Sequence, residues 1–312
     1  MEPIRFERRV AIITGAGRGI GKAHARLLAE RGASVVVNDL GSAPSGDGSD
    51  PGAADQVAAD IRAGGGVAVA DTSDVATVAG AAELVRRALD TYGRVDVLVN
   101  NAGFAAPSEF PAAGIAQLRR YFDVHAGGSF NVTRECWPHM VRAGYGRVVM
   151  TTSHAILGAP PGLLPYGTAK GSVFALARAL AVAGRGHGIT VNSVAPVAAT
   201  RLAGVDEGET GTGVVAGSPP ELVSPLVALL CHESCPVSGE TFLSGGGRHA
   251  RLFIAETQGY VHRDSGLTPE AVGEHWPEIM DDARHYIPVD TASWLDGNAA
   301  RIAASRGSGH GH

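Results

Sequence analysis

The sequence is poor in the features that mark several classes of protein. It has 312 residues with 3 cysteines, too few to suggest a disulfide framework, and its net charge of −5 does not favour nucleic acid or an anionic membrane as a partner. No apolar run is long enough to span a bilayer, and the charged start of the chain leads into a strand rather than a secretory signal. We therefore expect a soluble, cytoplasmic protein.

What the sequence does contain is an alternation of short apolar runs and amphipathic segments. The chain is 45% hydrophobic, enough to bury a sizeable core, and its 43 glycines fall between the apolar runs. Strands alternating with helices predict a parallel, doubly wound α/β sheet of the Rossmann type, with the ligand at the carboxyl ends of the strands. The seven predicted strands are residues 10–13, 34–38, 67–70, 95–99, 147–152, 190–194 and 241–244.

Three regions are expected along the chain. Residues 1–247 form the dinucleotide-binding catalytic domain, and residues 248–300 form a C-terminal extension near the substrate pocket or a dimer interface. Residues 301–312 are expected to be a disordered tail. Three aromatic residues of the extension and its helix-like segment 269–283 indicate that it folds; the three are Trp276, Tyr286 and Trp294.

A glycine-rich turn follows the first predicted strand and opens a helix. Its glycines allow close approach of the backbone to a pyrophosphate, and the helix N-terminus offers free N–H groups and the positive end of a dipole. This order of elements predicts a dinucleotide site more strongly than an ordinary flexible turn. The residues predicted to contact the cofactor here are Gly15, Arg18, Gly19, Ile20 and Gly21.

An acidic residue, Asp39, ends the second predicted strand about two dozen residues after Gly15. A carboxylate in this position accepts hydrogen bonds from an adenosine ribose and repels a 2′-phosphate, which favours NAD over NADP. Arg18 argues the other way, since a cation in the turn could meet a phosphate, but close-range repulsion by Asp39 is the stronger effect. The following segment, residues 41–52, is expected to be an exposed loop that only connects two elements.

Two further strand ends are predicted to border the cofactor. Asp74 and Val75 follow the third strand, where an adenine edge would bind. Asn101, Ala102 and Gly103 follow the fourth strand, and the asparagine suits backbone bracing as well as contact with the cofactor.

Ser153, Tyr166 and Lys170 form a candidate proton-handling site. Tyr166 and Lys170 are four residues apart at the start of a predicted helix, so the phenol and the ammonium share one face. A nearby positive charge stabilises a phenolate and lowers the pKa of a tyrosine towards the working range of a general acid or base. The alternative is a half-buried ring beside a lysine whose stem packs on the surface. Ser153, at a strand end, would present its hydroxyl to the same substrate oxygen.

The motifs together resemble those of the short-chain dehydrogenase/reductase family. The matching elements are the glycine turn, Asn100 to Gly103, Ser153 and the pair Tyr166 and Lys170, with thirteen residues from serine to tyrosine. Within that family the chain resembles the (3R)-hydroxyacyl-CoA dehydrogenase branch found in multifunctional enzymes. The residues that carry this likeness include 37–41, 124–125, 128–130, 230–235, 267–272 and Trp276.

The resemblance implies roles for individual residues. Tyr166 would exchange the proton of a secondary alcohol while hydride passes to or from a nicotinamide, and Ser153 would orient the reacting oxygen. Lys170 would lower the pKa of the tyrosine and hold the nicotinamide ribose. His125 stands where many members have an asparagine of a proton relay, and a packed histidine is the alternative. Pro196 and Thr200 would border the carboxamide, although Thr200 lies one place early and Val197 replaces the usual glycine.

The substrate is left open between related classes. A 3-hydroxyacyl-CoA leads, steroid-like or polyketide-like ketones are the alternative, and an NAD-binding regulatory or scaffold protein is the non-enzyme alternative. The proline-rich segment 158–165 departs from the branch and should border the substrate, and residues 197–218 are expected to order on binding. A homodimer or homotetramer is expected. Cys231, His232 and Cys235 lack a distant fourth ligand, so no metal site is predicted.

Overall fold

The computed structural model describes residues 3–206, 209, 211, 213–263 and 265–307, except for the side chains of Val214 and of residues 304–307. The chain divides into two compact units, Met1–Arg251 and Leu252–His312. Among the described helices, none combines the length and the hydropathy that crossing a membrane requires.

The first unit is built on one eight-stranded sheet, which confirms the doubly wound α/β prediction. Its strand order is β3-β2-β1-β4-β5-β6-β7-β8, and the recorded registers from β3 to β7 are all parallel. The order reverses at β1 and β4, the point where such sheets bind ligands. The strands are β1 Val10–Thr14, β2 Ser34–Asn38, β3 Val67–Asp71, β4 Val97–Asn100, β5 Gly146–Thr151, β6 Ile189–Val197, β7 Thr241–Gly245 and β8 Arg248–Leu252.

Helices cover both faces of the sheet because the central strands are apolar on both sides. Every residue of β1 and β4 is buried, as parallel strands between two helical layers require. One core cluster joins the sheet to α1, α2 and α7, and the other joins it to α3, α5 and α6. These helices are α1 Gly19–Glu30, α2 Gly52–Ala63, α3 Val78–Tyr92, α5 Gly128–Ala143, α6 Leu164–Ala183 and α7 Ser224–Cys231.

The eighth strand differs from the sequence prediction of seven. Only Gly246 and Gly247 connect β7 to β8, and both have positive φ, +56° and +78°. So short a connection can join only antiparallel neighbours, and its conformation requires glycine. Residues Arg248–Arg251, which the sequence assigns to the extension, therefore belong to the sheet of the first unit.

A π-helical turn interrupts the long helix predicted from Ile115. The helix begins as α4, Ile115–Tyr121, continues as a π-helix over Phe122–Gly127, and resumes as α5. Single π-turns within helices are frequent at functional sites because the extra residue changes which side chains face inward. Here the π-turn contains His125, whose side chain is buried.

The second unit contains a small antiparallel pair, β9 Glu256–Thr257 and β10 His285–Tyr286, with three helices. The helices are α8 Pro269–Glu274, α9 Trp276–Met280 and α10 Thr291–Gly307. The helix predicted over 269–283 is thus divided, and Pro277 lies at the start of α9, where proline is tolerated. The carboxylate of Glu256 accepts hydrogen bonds from the Trp294 indole and from Arg301. The position of this extension near a substrate pocket or a dimer interface stays a prediction.

Part of the predicted disordered tail, residues 301–307, is helical in the structure. Helix α10 continues to Gly307, in keeping with the alanines at 299, 300, 303 and 304, which have the highest helix propensity. Residues 308–312, the remainder of that prediction, lie outside the described residues.

Candidate active site

A cleft of ≈ 570 Å³ lies at the carboxyl ends of the central strands, where the strand order reverses. It is formed by the glycine turn after β1, the ends of β2, β3 and β4, and the segment after β6. The sequence-predicted cofactor residues that line it are Gly15, Arg18, Gly19, Ile20, Gly21, Asp39, Asp74, Val75, Asn101, Ala102, Gly103 and Thr200. The structure therefore brings together residues that are far apart in the sequence.

The glycine turn is tight because the backbone at its start packs directly against the backbone at its end. A Cβ on Gly21 would lie 2.1 Å from the carbonyl oxygen of Gly15, and Gly15 itself has a φ of +63°. The amide of Asn101 donates to the carbonyl oxygens of Thr14 and Gly15, both at 3.0 Å. Of the two roles considered for Asn101, the structure shows the bracing role, and the side chain fixes the shape of the turn.

The N-terminus of α1 has the properties that a pyrophosphate requires. Its N-cap residue is Arg18, which has an extended backbone and makes no side-chain cap among the described residues, and the first turn contains no acidic residue. The first N–H groups of the 12-residue helix therefore point towards the cleft with the positive end of the dipole. Together with the glycine turn, this cradle fits the diphosphate of a dinucleotide.

Asp39 lies directly beside this cradle. Its two carboxylate oxygens accept from the backbone N–H groups of Gly17 and Gly41, each at 2.7 Å. A carboxylate has about four acceptor positions, so these two bonds fix its orientation and leave capacity for ribose hydroxyls. The geometry suits the ribose-binding role predicted for Asp39.

Asp74 and Val75 border the cleft at the start of α3. The Asp74 carboxylate accepts from the N–H of Ala76 at 2.9 Å, which holds the turn, and Val75 is buried. An apolar side chain beside a polar turn suits the edge of an adenine ring, as the sequence predicts for this position.

Ser153, Tyr166 and Lys170 converge beyond the end of β5. Ser153 is buried two residues after the last residue of β5, and its hydroxyl accepts from the N–H of Ala155 at 3.1 Å. Tyr166 and Lys170 lie one turn apart on α6, with the lysine Nζ 5.8 Å from the centre of the phenol ring. That Nζ donates to the carbonyl oxygen of Thr151 at 2.7 Å, so Lys170 is anchored to the strand that carries Ser153. Its side chain does not snorkel to the surface.

The pKa values in this group are controlled mainly by burial. Burial raises the pKa of Tyr166, and a hydrogen bond with Ser153 opposes that rise. Burial also lowers the pKa of Lys170 to about 7. The net pKa of Tyr166 is therefore raised in this structure, because removal of the phenol from water is the largest effect on it, and an influence of Lys170 on that pKa stays a prediction.

His125 lies against the ring of Tyr166, with the ring centres 5.6 Å apart and nearly perpendicular. Burial lowers the pKa of His125 well below its usual value, and the charge of Lys170 lowers it further, so the imidazole is neutral. Its Nε2 is 3.1 Å from the carbonyl oxygen of Phe104, while Nδ1 is buried without a hydrogen-bond partner in the described part of the protein. A Cβ on Gly103 would lie 2.5 Å from the ring, so glycine is needed here. A relay role for His125 stays a prediction.

An aromatic support beneath Tyr166 was not predicted from the sequence. Tyr121 lies edge-on to Tyr166 at 6.1 Å and stacks on Phe104 at 4.5 Å. The Tyr121 hydroxyl accepts from the N–H of Ala106 at 2.6 Å and donates to the carbonyl oxygen of the same residue at 3.0 Å. The long helix is thereby tied to the segment after β4. The sequence carries no signal for these contacts of Tyr121, because they depend on how the helix with the π-turn packs in the folded chain.

The segment after β2 is more than a connection, contrary to the sequence expectation. Ser42, Ala43, Pro44 and Gly46 line the cleft, and the carbonyl oxygen of Pro44 accepts from the N–H of Ala105 at 3.0 Å. The aspartates and glycines of the segment were a possible signal, since they favour tight turns and short ion pairs.

Two cofactor residues predicted around the end of β6 differ in position. Pro196 lies in β6, opposite Ser244 of β7, and is not among the described residues that line the cleft. Thr200 does line it and faces the glycine turn, since its Cγ2 is 3.4 Å from where a Cβ on Gly19 would be. Among the described residues, no group of three or more His, Cys, Asp or Glu side chains could hold a metal ion.

Comparison with known proteins agrees with this geometry. The family model for short chain dehydrogenases matches residues 9–205. The chain is 42% identical over 281 residues to peroxisomal multifunctional enzyme type 2 of Mus musculus, which covers 89% of this chain and 37% of that protein. It is 39% identical to a putative short-chain type dehydrogenase/reductase of Mycobacterium tuberculosis, over 88% of this chain and 94% of that protein.

A solved structure has the same fold. It is that of a 7α-hydroxysteroid dehydrogenase complexed with NADH and 7-oxo glycochenodeoxycholic acid, with a TM-score of 0.70 and 30% identity over 79% of this chain and 98% of that chain. The chain belongs to the short-chain dehydrogenase family of oxidoreductases. It spans well under half the length of the mouse multifunctional enzyme.

Proposed function

We propose that the chain is an NAD-dependent oxidoreductase that interconverts a secondary alcohol and a ketone on a 3-hydroxyacyl-CoA type substrate. The observation that carries the proposal is the convergence of Ser153, Tyr166 and Lys170 near the end of β5. The three are not among the described residues that line the cleft, but Tyr166 is connected to it through His125, which packs against the lining residue Gly103. The nicotinamide, when bound, supplies the hydride acceptor or donor.

The proton chemistry belongs to Tyr166. In reduction its hydroxyl donates a proton to the ketone oxygen, and in oxidation its phenolate accepts the proton of the alcohol. Because burial raises its pKa, Tyr166 is protonated at neutral pH, the form that reduction requires. The Ser153 hydroxyl, which acts to lower the pKa of the phenol, is placed to orient the same substrate oxygen.

The choice of NAD rests on Asp39. Its carboxylate is held by two backbone N–H groups and would repel a 2′-phosphate in the position where ribose hydroxyls would bind. The solved relative with NADH supports this choice by analogy. A 3-hydroxyacyl-CoA is supported by the likeness to the multifunctional enzyme, and a steroid-like ketone, favoured by the likeness to the hydroxysteroid dehydrogenase, is the second candidate.

The test is the variant Tyr166→Phe. It removes the hydroxyl and keeps the ring, so we expect turnover of 3-hydroxybutyryl-CoA with NAD to fall by about 10²- to 10⁴-fold, while NADH binding, followed by its fluorescence, is retained. Tyr92→Phe, which likewise removes only a hydroxyl but lies at the C-terminal end of α3 and does not line the cleft, is the control. Unchanged turnover in Tyr166→Phe would contradict the assignment of the proton donor, and a protein that only binds NAD would show no turnover to lose.

A homodimer or homotetramer and a cytoplasmic location also remain proposals. Light scattering at several protein concentrations measures the oligomeric state. Fractionation of the source cells measures the location, and recovery of the protein in an organelle would contradict a cytoplasmic location.

A further inference from the structure

Two arginines form ion pairs with the segment of residues 41–51, which lines part of the cleft. Arg18 of the glycine turn donates to the Asp50 carboxylate at 2.8 Å, and Arg120 of α4 donates to the Asp47 carboxylate, also at 2.8 Å. One of these ion pairs therefore involves a residue of the dinucleotide cradle, and the other does not.

The backbone holds Asp50 in place. Its N–H donates to the carbonyl oxygen of Leu40 at 3.1 Å, and its Oδ1 accepts from the N–H of Gly52 at 3.1 Å. Gly41, with a φ of +78°, packs so closely that a Cβ there would lie 2.0 Å from the Asp50 carbonyl oxygen. Only the remaining oxygen, Oδ2, is directed to Arg18.

Arg18 and Asp39 belong to the same corner of the cleft. Asp39 accepts from the N–H of Gly17, the residue before Arg18, and from the N–H of Gly41. The second terminal nitrogen of Arg18 is 3.5 Å from the carbonyl oxygen of Gly41. The guanidinium of Arg18 thus lies beside the backbone turn that Asp39 holds, and it is directed towards Asp50.

We propose that Asp50 is a specificity-determining residue for the cofactor, acting through Arg18. An arginine in this turn is suited to bind a 2′-phosphate, because its planar fork matches phosphate oxygens. Asp50 occupies that fork and offsets its charge, so Arg18 attracts a 2′-phosphate less strongly, while Asp39 repels it. This inference rests on the proposed use of NAD and adds a second carboxylate to the one that excludes NADP.

The experiment measures binding rather than turnover. Asp50→Asn keeps the shape and the acceptor for Gly52 but removes the charge that holds Arg18. We expect the ratio of NADPH to NADH affinity, followed by nicotinamide fluorescence on the full-length chain, to rise about fivefold, the size appropriate to an exposed pair. The pair is exposed, with side-chain exposures of 30% and 56%, so 0.5 M salt should reduce the shift. Calorimetry with adenosine 2′,5′-bisphosphate and AMP should give the same ranking.

Three further variants separate a charge effect from a structural one. Asp47→Asn breaks the matched ion pair of the same segment, with Arg120, and should leave the affinity ratio unchanged. Asp50→Glu restores the charge and should return the ratio towards that of the original protein. Arg18→Gln in the Asp50→Asn background should abolish the shift, since the freed guanidinium is its cause.

The outcomes distinguish this inference from the proposed function. If the original protein binds NADPH more tightly than NADH, the proposed NAD preference fails. If it prefers NADH but Asp50→Asn and Asp47→Asn give the same ratio, the role of Asp50 is overturned while the NAD preference stands. A ratio that rises in Asp50→Asn and still rises without Arg18 would also overturn it.

Discussion

Lys170 is a charged side chain that is buried in the protein rather than exposed on its surface. It is 4% exposed, donates to one carbonyl oxygen, and has a pKa lowered by burial to about 7. A buried ammonium with a lowered pKa destabilises the folded state, because the unfolded chain binds that proton more tightly. The residue proposed to serve the active site therefore reduces the stability of the fold.

Replacement of Lys170 by methionine should stabilise the protein while removing activity. The free-energy cost of burying the charged lysine is complete below pH 7. It decreases as the pH rises from about 7 towards 10.5, where the lysine of the unfolded chain also loses its proton. We expect the free energy of unfolding at pH 6 to rise by about 2 kcal/mol, allowing for the lost bond to Thr151, and the gain to shrink by pH 9. Urea denaturation at both pH values measures it.

The control for this variant is Lys22→Met, at the chain's other lysine, which is partly exposed on α1. For Lys22→Met, the difference in free energy of unfolding from the original protein should not shrink between pH 6 and pH 9 as it does for Lys170→Met. A Lys170→Met protein that is less stable at pH 6 than the original would contradict the account.

At the scale of elements, the π-turn determines how the long helix meets the active site. It buries His125 against Tyr166 and follows Tyr121, whose hydroxyl is bonded to the backbone of Ala106. One helical element thus contacts Tyr166, the proposed proton donor, and also fixes the segment after β4, which lines the cleft. A regular α-helix across the same residues would turn these side chains to different directions.

The variant Tyr121→Phe tests this connection between elements. It leaves the N–H of Ala106 without its acceptor, whereas the carbonyl oxygen still accepts from Gln117 at 2.8 Å. We expect the protein to lose about 1 to 2 kcal/mol of stability and the amide of Ala106 to exchange faster with deuterium. Tyr92→Phe in α3, where the ring packs against the core cluster of the sheet with α3, α5 and α6, is the matched control. Unchanged exchange at Ala106 would show that the hydroxyl does not hold the segment.

At the scale of the whole molecule, every described residue that lines the cleft lies between Gly15 and Glu221, within the first unit. A chain shortened to residues 1–253 retains all eight strands of the sheet. We expect it to bind NADH within about twofold of the full chain, a difference of about 0.4 kcal/mol. Fluorescence titration measures the affinity and circular dichroism confirms that the shortened chain is folded.

The shortened chain also tests the role predicted for the extension. A raised KM for the substrate with unchanged NADH affinity would support a place near the substrate pocket. A folded, shortened chain that binds NADH more than tenfold less tightly would contradict the confinement of the cofactor site to the first unit.

The sequence by itself determined the doubly wound sheet and most of the residues around the cleft. Periodicity and glycine turns are local, and parallel strands bring their carboxyl ends to one edge, so Gly15, Asp39, Asn101 and Ser153 could be placed near one another from their positions alone. The same reasoning identified Tyr166 and Lys170, because one turn of helix fixes their spacing.

Only the tertiary structure decided the electrostatics and the long-range contacts of the site. Whether Lys170 lowers the pKa of Tyr166 depends on how deeply both are buried, which the sequence does not specify. The π-turn at His125 and the ion pair between Arg18 and Asp50 likewise depend on elements that meet only in the folded chain. Local pattern determines which elements form, whereas burial and charge depend on the neighbours that the fold supplies.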